Sequence, residues 1–338
     1  MTDSERPSRR ESNIQVELGG EAVQLASRPG YADWNRATDA ARLIARHAEV
    51  SQGERVLVCP CGNGALGVWA ARRAGAQGVT MLDTHIVAVE DARRAAWANG
   101  CGAVRVEAAL PTAGMGPFDA ALMTLPKGRD LARLYFLACG RALRAGGRFY
   151  LAGPNDGGIK SALKDAEALY GPGALLAYKG GNRVTVFTRP PDLGGELPEM
   201  YRTPGVAEGT HHEFEVAIND ERLTIHSRPG VFSWREFDAG TRALLENLPV
   251  LSTDRVLDVG CGYGVVGLYA ARRALKGEVT MVDADALAIA CARETAAANG
   301  LEERVELLLG DGLQAVAGRR FTLIASNPPF HTGHAVNS

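Results

Sequence analysis

The chain is written twice. Aligned without a gap, residues 13–100 and 213–300 share 32 identities in 88 positions. Arg28-Pro29-Gly30 returns as Arg228-Pro229-Gly230, Trp34 as Trp234, and Ala70-Ala71-Arg72-Arg73-Ala74 unchanged at 270–274. Val79-Thr80-Met81 with Asp83 returns as Val279-Thr280-Met281 with Asp283, and Asn99-Gly100 as Asn299-Gly300. The constant offset of 200 lies far above the ~20–50-residue period of solenoid repeats, so the chain is two related domains and not an array. The length of 338 residues agrees, at about 150 per domain.

Each copy opens with a hairpin pattern. Ile14-Gln15-Val16-Glu17-Leu18, the turn Gly19-Gly20 and Val23-Gln24-Leu25 match Phe214, Val216 and Ile218, the turn Asn219-Asp220, then Leu223 and Ile225. A helix follows, then the strand 55–58 or 255–258, a Gly-rich turn and an Ala-rich helix. Next come a strand ending in Asp83 or Asp283, another Ala-rich helix to Asn99 or Asn299, and two further strands. Strands alternating with helices predict an α/β fold with a doubly wound, mainly parallel sheet and ligands at the strand C-termini. The expected layout is a frayed polar tail at 1–12, a first domain at 13–189, a Pro/Gly-rich linker at 190–198 and a second domain at 199–338. The second copy is expected to be truncated. After Lys127 the first copy runs 62 residues to Arg189 (189 − 127), whereas 8 follow Phe330 (338 − 330), leaving about 50 residues of helix and strand without a counterpart.

Composition excludes whole function classes. With 46% hydrophobic and 22% charged residues, the chain reads as an ordinary globular protein, expected to be cytoplasmic. No run nears the ~20 apolar residues of a membrane span. The six cysteines, Cys59, Cys61, Cys101, Cys139, Cys261 and Cys291, form neither a disulfide framework nor paired metal knuckles, so they read as small buried thiols and no metal is expected.

The chemistry concentrates in the second copy. Asn327-Pro328-Pro329-Phe330 follows the apolar strand Phe321–Ser326. Its prolines remove two N–H donors, so the turn offers acceptors without competing donors. An Asn side-chain oxygen beside a Pro carbonyl suits an amino group with two hydrogens, and Phe330 can stack on a planar ring. Such a turn suits a flat NH2-bearing group, a nucleobase or an amide; standing alone it is equally a proline-rich turn. Upstream, Asp258-Val259-Gly260-Cys261-Gly262-Tyr263-Gly264 forms a Gly-rich turn into a helix, and Asp283 ends the next strand 25 residues on (283 − 258), placed for ribose hydroxyls. Asp311, in Gly310-Asp311-Gly312, ends a third strand within reach of an adenine amine. Gly262-x-Gly264-x-x-Gly267 alone would equally fit a dinucleotide site.

On these residues the second copy resembles a class I S-adenosylmethionine-dependent methyltransferase. The whole chain, with Pro229-Gly230-Val231-Phe232-Ser233 and Asn327-Pro328-Pro329-Phe330-His331-x-Gly333, resembles the RsmC/RlmG type of ribosomal RNA guanine-N2 methyltransferases, which carry two Rossmann-like methyltransferase domains with one active copy. The resemblance implies S-adenosylmethionine held by Asp258, Gly260, Gly262, Gly264, Asp283 (ribose) and Asp311 (adenine). It further implies a guanine amine on Asn327 and the Pro328 carbonyl, with Pro329 shaping the turn and Phe330 on the base. It makes ribosomal RNA or the small ribosomal subunit the partner, 16S favoured over 23S, and a monomer the expected state. His331, a substrate contact by the same resemblance, reads better as a structural hydrogen-bonder than as a base.

The first copy has lost these groups: Asp258 corresponds to Val58, Gly260 to Pro60, and the Asn-Pro-Pro-Phe turn to Thr124-Leu125-Pro126-Lys127, with Asp83 alone remaining. Residues 1–190 carry net charge +6 (24 Lys+Arg, 18 Asp+Glu) and residues 191–338 carry −8 (13 and 21). A basic inactive half points to RNA phosphate as its ligand, with Arg129, Arg133, Arg141, Arg144 and Arg148 as candidates, or to ordinary solvated helix faces. Three other readings stay open at this point. They are adenine-N6 or protein glutamine-N5 methylation on a similar turn, a non-catalytic RNA-binding or scaffold protein, and a nicotinamide (NAD)-dependent oxidoreductase.

Overall fold

The computed structural model describes residues 12–29, 31–193 and 195–328. The expected tail lies outside them except for Ser12, which starts the first strand. The chain divides into two compact units, Met1–Glu208 and Gly209–Ser338.

In the first unit β1 (Ser12–Leu18) and β2 (Glu21–Ser27) form the expected hairpin, paired Val16↔Val23 and Leu18↔Glu21. Its alternating Val16, Leu18, Val23 and Leu25 are buried, as period-two patterning requires. Then come α1 (Asp39–His47), β3 (Val56–Val58), α2 (Ala65–Ala74), β4 (Val79–Asp83), α3 (Ile86–Ala98), β5 (Arg105–Ala108) and β6 (Phe118–Thr124). They are followed by α4 (Arg129–Ala142), β7 (Leu143–Pro154), α5 (Ile159–Tyr170), β8 (Ala174–Lys179), β9 (Asn182–Thr188) and the short α6 (Glu199–Arg202). The seven-stranded sheet runs β5-β4-β3-β6-β7-β9-β8, with β9 antiparallel to both neighbours and the rest parallel. Helices cover both faces, so β3 and β4 are buried throughout and read as unbroken apolar runs.

The expected linker is a correction. Leu193, Tyr201 and Val206 are buried in the first unit's core, and the Tyr201 hydroxyl donates to the Asp165 carbonyl at 2.6 Å. Apolar anchors spaced between the prolines dock this segment, so the boundary falls at 208/209. The shift changes the electrostatics. Residues 191–208 carry Asp192, Glu196, Glu199 and Glu208 against Arg202, which lowers the first unit's net charge from +6 to +3 and leaves the second at −5.

The second unit repeats the order: β10 (His212–Ile218), β11 (Glu221–Ser227), α7 (Ala239–Glu246), β12 (Arg255–Val259), α8 (Val265–Arg273), β13 (Glu278–Asp283), α9 (Ala286–Ala298), β14 (Val305–Leu309) and β15 (Leu323–Ser326). Among the described residues its sheet is β14-β13-β12-β15, all parallel. Chain direction reverses its spread between β12 and β15, which makes their C-terminal ends the switch point where ligands settle. A Cβ on Gly267 would stand 2.5 Å from Met281 Cγ, so glycine lets α8 lie directly on β13. Among the described residues no helix is long and apolar enough to cross a membrane, and all six cysteines are buried and free.

Candidate cofactor and acceptor site

Register brings the predicted residues to one end of the second sheet. Asp258 pairs with Met281 on one side and Ala325 on the other, and Val259 with Ser326. The chain therefore leaves β12 into the Gly-rich turn beside the start of Asn327-Pro328. Asp283 closes β13 opposite Leu309 of β14. Around this end lies a cavity of about 430 Å³ lined by Gly260, Gly262, Asp283, Gly312, Asn327 and Pro328, among others.

Two carboxylates build the turn. Asp283 accepts the Gly262 N–H through Oδ2 at 2.8 Å and the Asp285 N–H through Oδ1 at 2.9 Å. Asp258 accepts the Gly267 N–H at 2.8 Å. Buried without a basic partner, its carboxyl is pushed up to about 7; burial raises it, the Gly267 N–H pulls it down, and the charge of Asp283 raises it again. Gly260 and Gly264 sit at φ 73° and 92°, values that disfavour any side chain.

Asn327 is held by groups that the sequence did not single out. Its Nδ2 donates to Asp238 Oδ2 at 3.0 Å and to Thr241 Oγ1 at 2.8 Å. Asp238 caps α7, accepting the Thr241 N–H at 2.7 Å and the Thr241 hydroxyl at 3.1 Å. With its hydrogen turned to Asp238, the Thr241 hydroxyl can only accept from Asn327. A carboxylate likewise only accepts. The amide orientation is thus fixed: Nδ2 points to α7, and Oδ1 is left as an acceptor. Burial works against the Asp238 charge, yet these hydrogen bonds hold its carboxyl below the usual range. A cap three residues ahead of a threonine was the one available signal, and it reads as ordinary helix capping.

Other placements differ from expectation. Asp311 starts the 3-10 turn Gly312–Val316, and its neighbour Gly312 lines the cavity. Pro329, Phe330 and His331 lie outside the described residues. Phe232 and Tyr263 line the cavity unforeseen, Phe232 half exposed at 51% and Tyr263 packed edge-on to Phe214 at 5.6 Å.

The same place in the first unit is narrowed. Its cavity is about 250 Å³. Tyr31, at the position of Val231, donates its hydroxyl to buried Asp91 at 2.9 Å. Asn63, at the position of Tyr263, donates to the carbonyls of Asp33 and Arg36 at 3.1 and 2.9 Å. Thr38, Ala41 and Thr124 stand where Asp238, Thr241 and Asn327 stand, so the amide and both groups that orient it are gone. Asp83 keeps only the turn-building role, accepting from the Gly62 and His85 N–H groups at 3.0 Å each.

The five arginines expected to face phosphate are engaged with carboxylates. Arg129 binds Asp165 through two bonds of 2.7 Å, and Arg133 binds Asp165 and Asp130 at 2.9 Å each. Arg141 pairs with Glu208 at 2.9 Å, Arg144 with Asp119 at 2.6 Å, and Arg148 with Glu54. Asp165 is buried, which opposes its charge, but Arg129 and Arg133 hold its carboxyl below the usual range. These pairs lock α4 onto α5, a structural task that neither the phosphate reading nor the solvated-face reading contained.

Comparison with known proteins agrees with this architecture. The profile of the methyltransferase small domain family matches residues 22–168 and again 222–338. The ribosomal RNA small subunit methyltransferase C of Pseudomonas entomophila (strain L48) is 43% identical over 218 residues, 64% of this chain and 61% of that protein. That of Pseudomonas putida (strain GB-1) is 40% identical over 223 residues, 65% of this chain and 62% of that protein. The matched segment thus spans about three fifths of these relatives. Among solved structures, the Thermus thermophilus 16S rRNA N2 G1207 methyltransferase (RsmC), in complex with AdoMet and guanosine, superposes with TM-score 0.74 at 29% identity, covering 97% of this chain and 83% of that one. Two class I folds in tandem, matched twice by one profile, place this chain in the methyltransferase small domain family.

Proposed function

We propose that the second unit methylates the exocyclic N2 amine of a guanine in small-subunit ribosomal RNA, with S-adenosylmethionine as donor and the first unit as a partner without a cofactor. The observation that carries this reading is the Asn327 amide, oriented by Asp238 and Thr241 so that its oxygen is the group left for a ligand. The likeness to relatives named as small-subunit rRNA methyltransferases supports the acceptor class.

The cavity residues fit the donor. Each oxygen of Asp283 takes one backbone N–H, and a carboxylate offers about four lone-pair sites, so capacity remains for a ribose diol. A Cβ at Gly260 would meet nothing within 4 Å, which marks open space beside the turn. Gly260, Gly262 and Gly264 would border the methionine portion, Asp283 the ribose, and the Asp311-Gly312 turn the adenine. When bound, S-adenosylmethionine supplies an electrophilic methyl group on a sulfonium.

Asn327 Oδ1 and the Pro328 carbonyl would accept the two hydrogens of the guanine amine. That amine is a poor nucleophile because its lone pair is delocalised into the ring. Two preset acceptors favour a pyramidal nitrogen and stabilise the positive charge that grows on it. The methylated amine is strongly acidic, so water takes the proton and no general base is needed. Asp258, buried at the floor of the cavity, holds the turn through the Gly267 N–H.

Methyl-labelled cofactor, offered with free 16S rRNA, free 23S rRNA and small ribosomal subunits, tests the proposal. The expected product is N2-methylguanine in 16S rRNA. Label on adenine N6, on glutamine, or on none of the substrates would overturn it.

A further inference from the structure

Three side chains outside this site converge at the foot of the loop leading into it. His211 precedes β10, His226 lies on β11 and Glu294 on α9. One ligating atom from each lies within 4.8 Å of the others. The two imidazoles are nearly parallel, 12° apart, with centroids separated by 5.4 Å. Across the hairpin, His226 sets Nε2 3.1 Å from Glu213 Oε2. Its Nδ1 is buried and has no hydrogen-bond partner. A buried nitrogen left unpaired in this way is destabilising, which marks it as a position for a ligand.

We infer that His211, His226 and Glu294 form a site for a divalent transition-metal ion such as Zn²⁺, with His226 ligating through Nδ1. Two imidazoles and a carboxylate suit this class of ion, and water completes the tetrahedral shell. Glu213 supplies the outer partner: a ligating histidine usually donates its second ring N–H to a carboxylate, which fixes the tautomer. The Arg228 charge lies close to His211. Arg228 opposes a cation, and the two carboxylates Glu213 and Glu294 offset it.

The duplication provides an internal control. Both units join helix to hairpin with one asparagine. Asn99 exchanges two bonds with the Gln24 backbone at 3.1 and 2.7 Å, and Asn299 does the same with Thr224. The histidines are not part of that shared framework. Positions 26 and 94 carry Ala26 and Arg94, and Arg94 pairs with Asp91. The cluster is therefore particular to the second unit. An ion there ties β10, β11 and α9 together just before Pro229. Gly230, Val231 and Phe232, which follow, line the cavity.

The test strips the full chain with a chelator and titrates it with zinc chloride against a chromophoric competitor. One equivalent of Zn²⁺ should bind and raise the melting temperature. His226→Ala and His211→Ala should each weaken binding about tenfold or more. His212→Ala should not, because its ring pairs with the Arg235 carbonyl. Should a histidine variant fail to fold by circular dichroism, Glu294→Gln, on an exposed side chain, carries the test through the same loss of affinity. Absence of a saturable one-to-one site, or equal affinity in Glu294→Gln and the folded histidine variants, overturns the assignment and leaves a stacked imidazole pair.

Discussion

Asn327 and Asp238 are 89 residues apart in sequence and joined by a hydrogen bond of 3.0 Å. That bond, with the one to Thr241, settles which way the amide faces. The acceptor turn is therefore built by two elements: β15 delivers the asparagine and the N-terminus of α7 orients it.

This arrangement separates chemistry from binding. Asn327→Ala should lower kcat by about 10²–10³, the usual effect of removing one preset polar partner. Thr241→Val, which releases the amide, and Asp238→Ala, which releases it and also uncaps α7, should lower it by about ten- to a hundredfold. In all three the cofactor dissociation constant by calorimetry should hardly move, and Thr241→Ser should restore the rate. Unchanged turnover in Asn327→Ala would remove the residue from the mechanism.

Asp283 and Asp83 hold equivalent turns, but Asp283 faces a cavity of about 430 Å³ and Asp83 one of about 250 Å³. Asp283→Ala should weaken S-adenosylmethionine binding and destabilise the protein by about 1–3 kcal/mol as two N–H groups lose their acceptor. Asp83→Ala should give a similar loss of stability while leaving one cofactor site of unaltered affinity per chain. Calorimetry with thermal denaturation distinguishes the two, and a second cofactor equivalent abolished by Asp83→Ala would show that the first unit binds ligand.

Asp258 gives the protein a pH signature. Its folded carboxyl is raised to about 7, above the ~3.9 of an unfolded aspartate. The folded state thus holds a proton that the unfolded state has released. This contribution is fully present below about pH 4 and is lost as pH rises through 7. Between pH 5 and 7 the wild type should lose about 2 kcal/mol of unfolding free energy relative to Asp258→Asn, and above 7 the difference should flatten. Denaturant titrations at pH 5, 6, 7 and 8 measure it, and parallel curves for the two proteins would refute the raised carboxyl.

Arg129 and Arg133 should behave as structural residues. Arg133→Ala should destabilise the first unit by about 1–3 kcal/mol, because buried Asp165 loses a charged partner. The salt dependence of RNA binding should stay the same in Arg129→Ala and Arg133→Ala. A shallower slope, by about one charge per arginine, would return them to the phosphate contacts expected from charge counting.

The sequence by itself determined the duplication, the alternation of strands with helices, the glycine turn and the strand-end aspartates. These are local signals: apolar period, glycine where φ is positive, a carboxylate closing a strand. It also showed that the first copy had lost Asp258, Gly260 and Asn327, since loss of a residue type needs no coordinates. Tertiary structure decided the rest, because each remaining point depends on contacts between distant segments. Leu193 read as linker, and Tyr201 and Val206 as the start of the second domain, until the first unit's core was there to receive them. Arg129 and Arg133 read as free charge until α5 brought Asp165 to them. Asp238 read as a helix cap until β15 laid Asn327 against it. The six cysteines predicted no metal, whereas His211, His226 and Glu294 met only when the hairpin folded onto α9. Sequence carries propensity and period over a few residues. Which side chains complete one another's hydrogen bonds is set by register and packing, and those exist only in the folded chain.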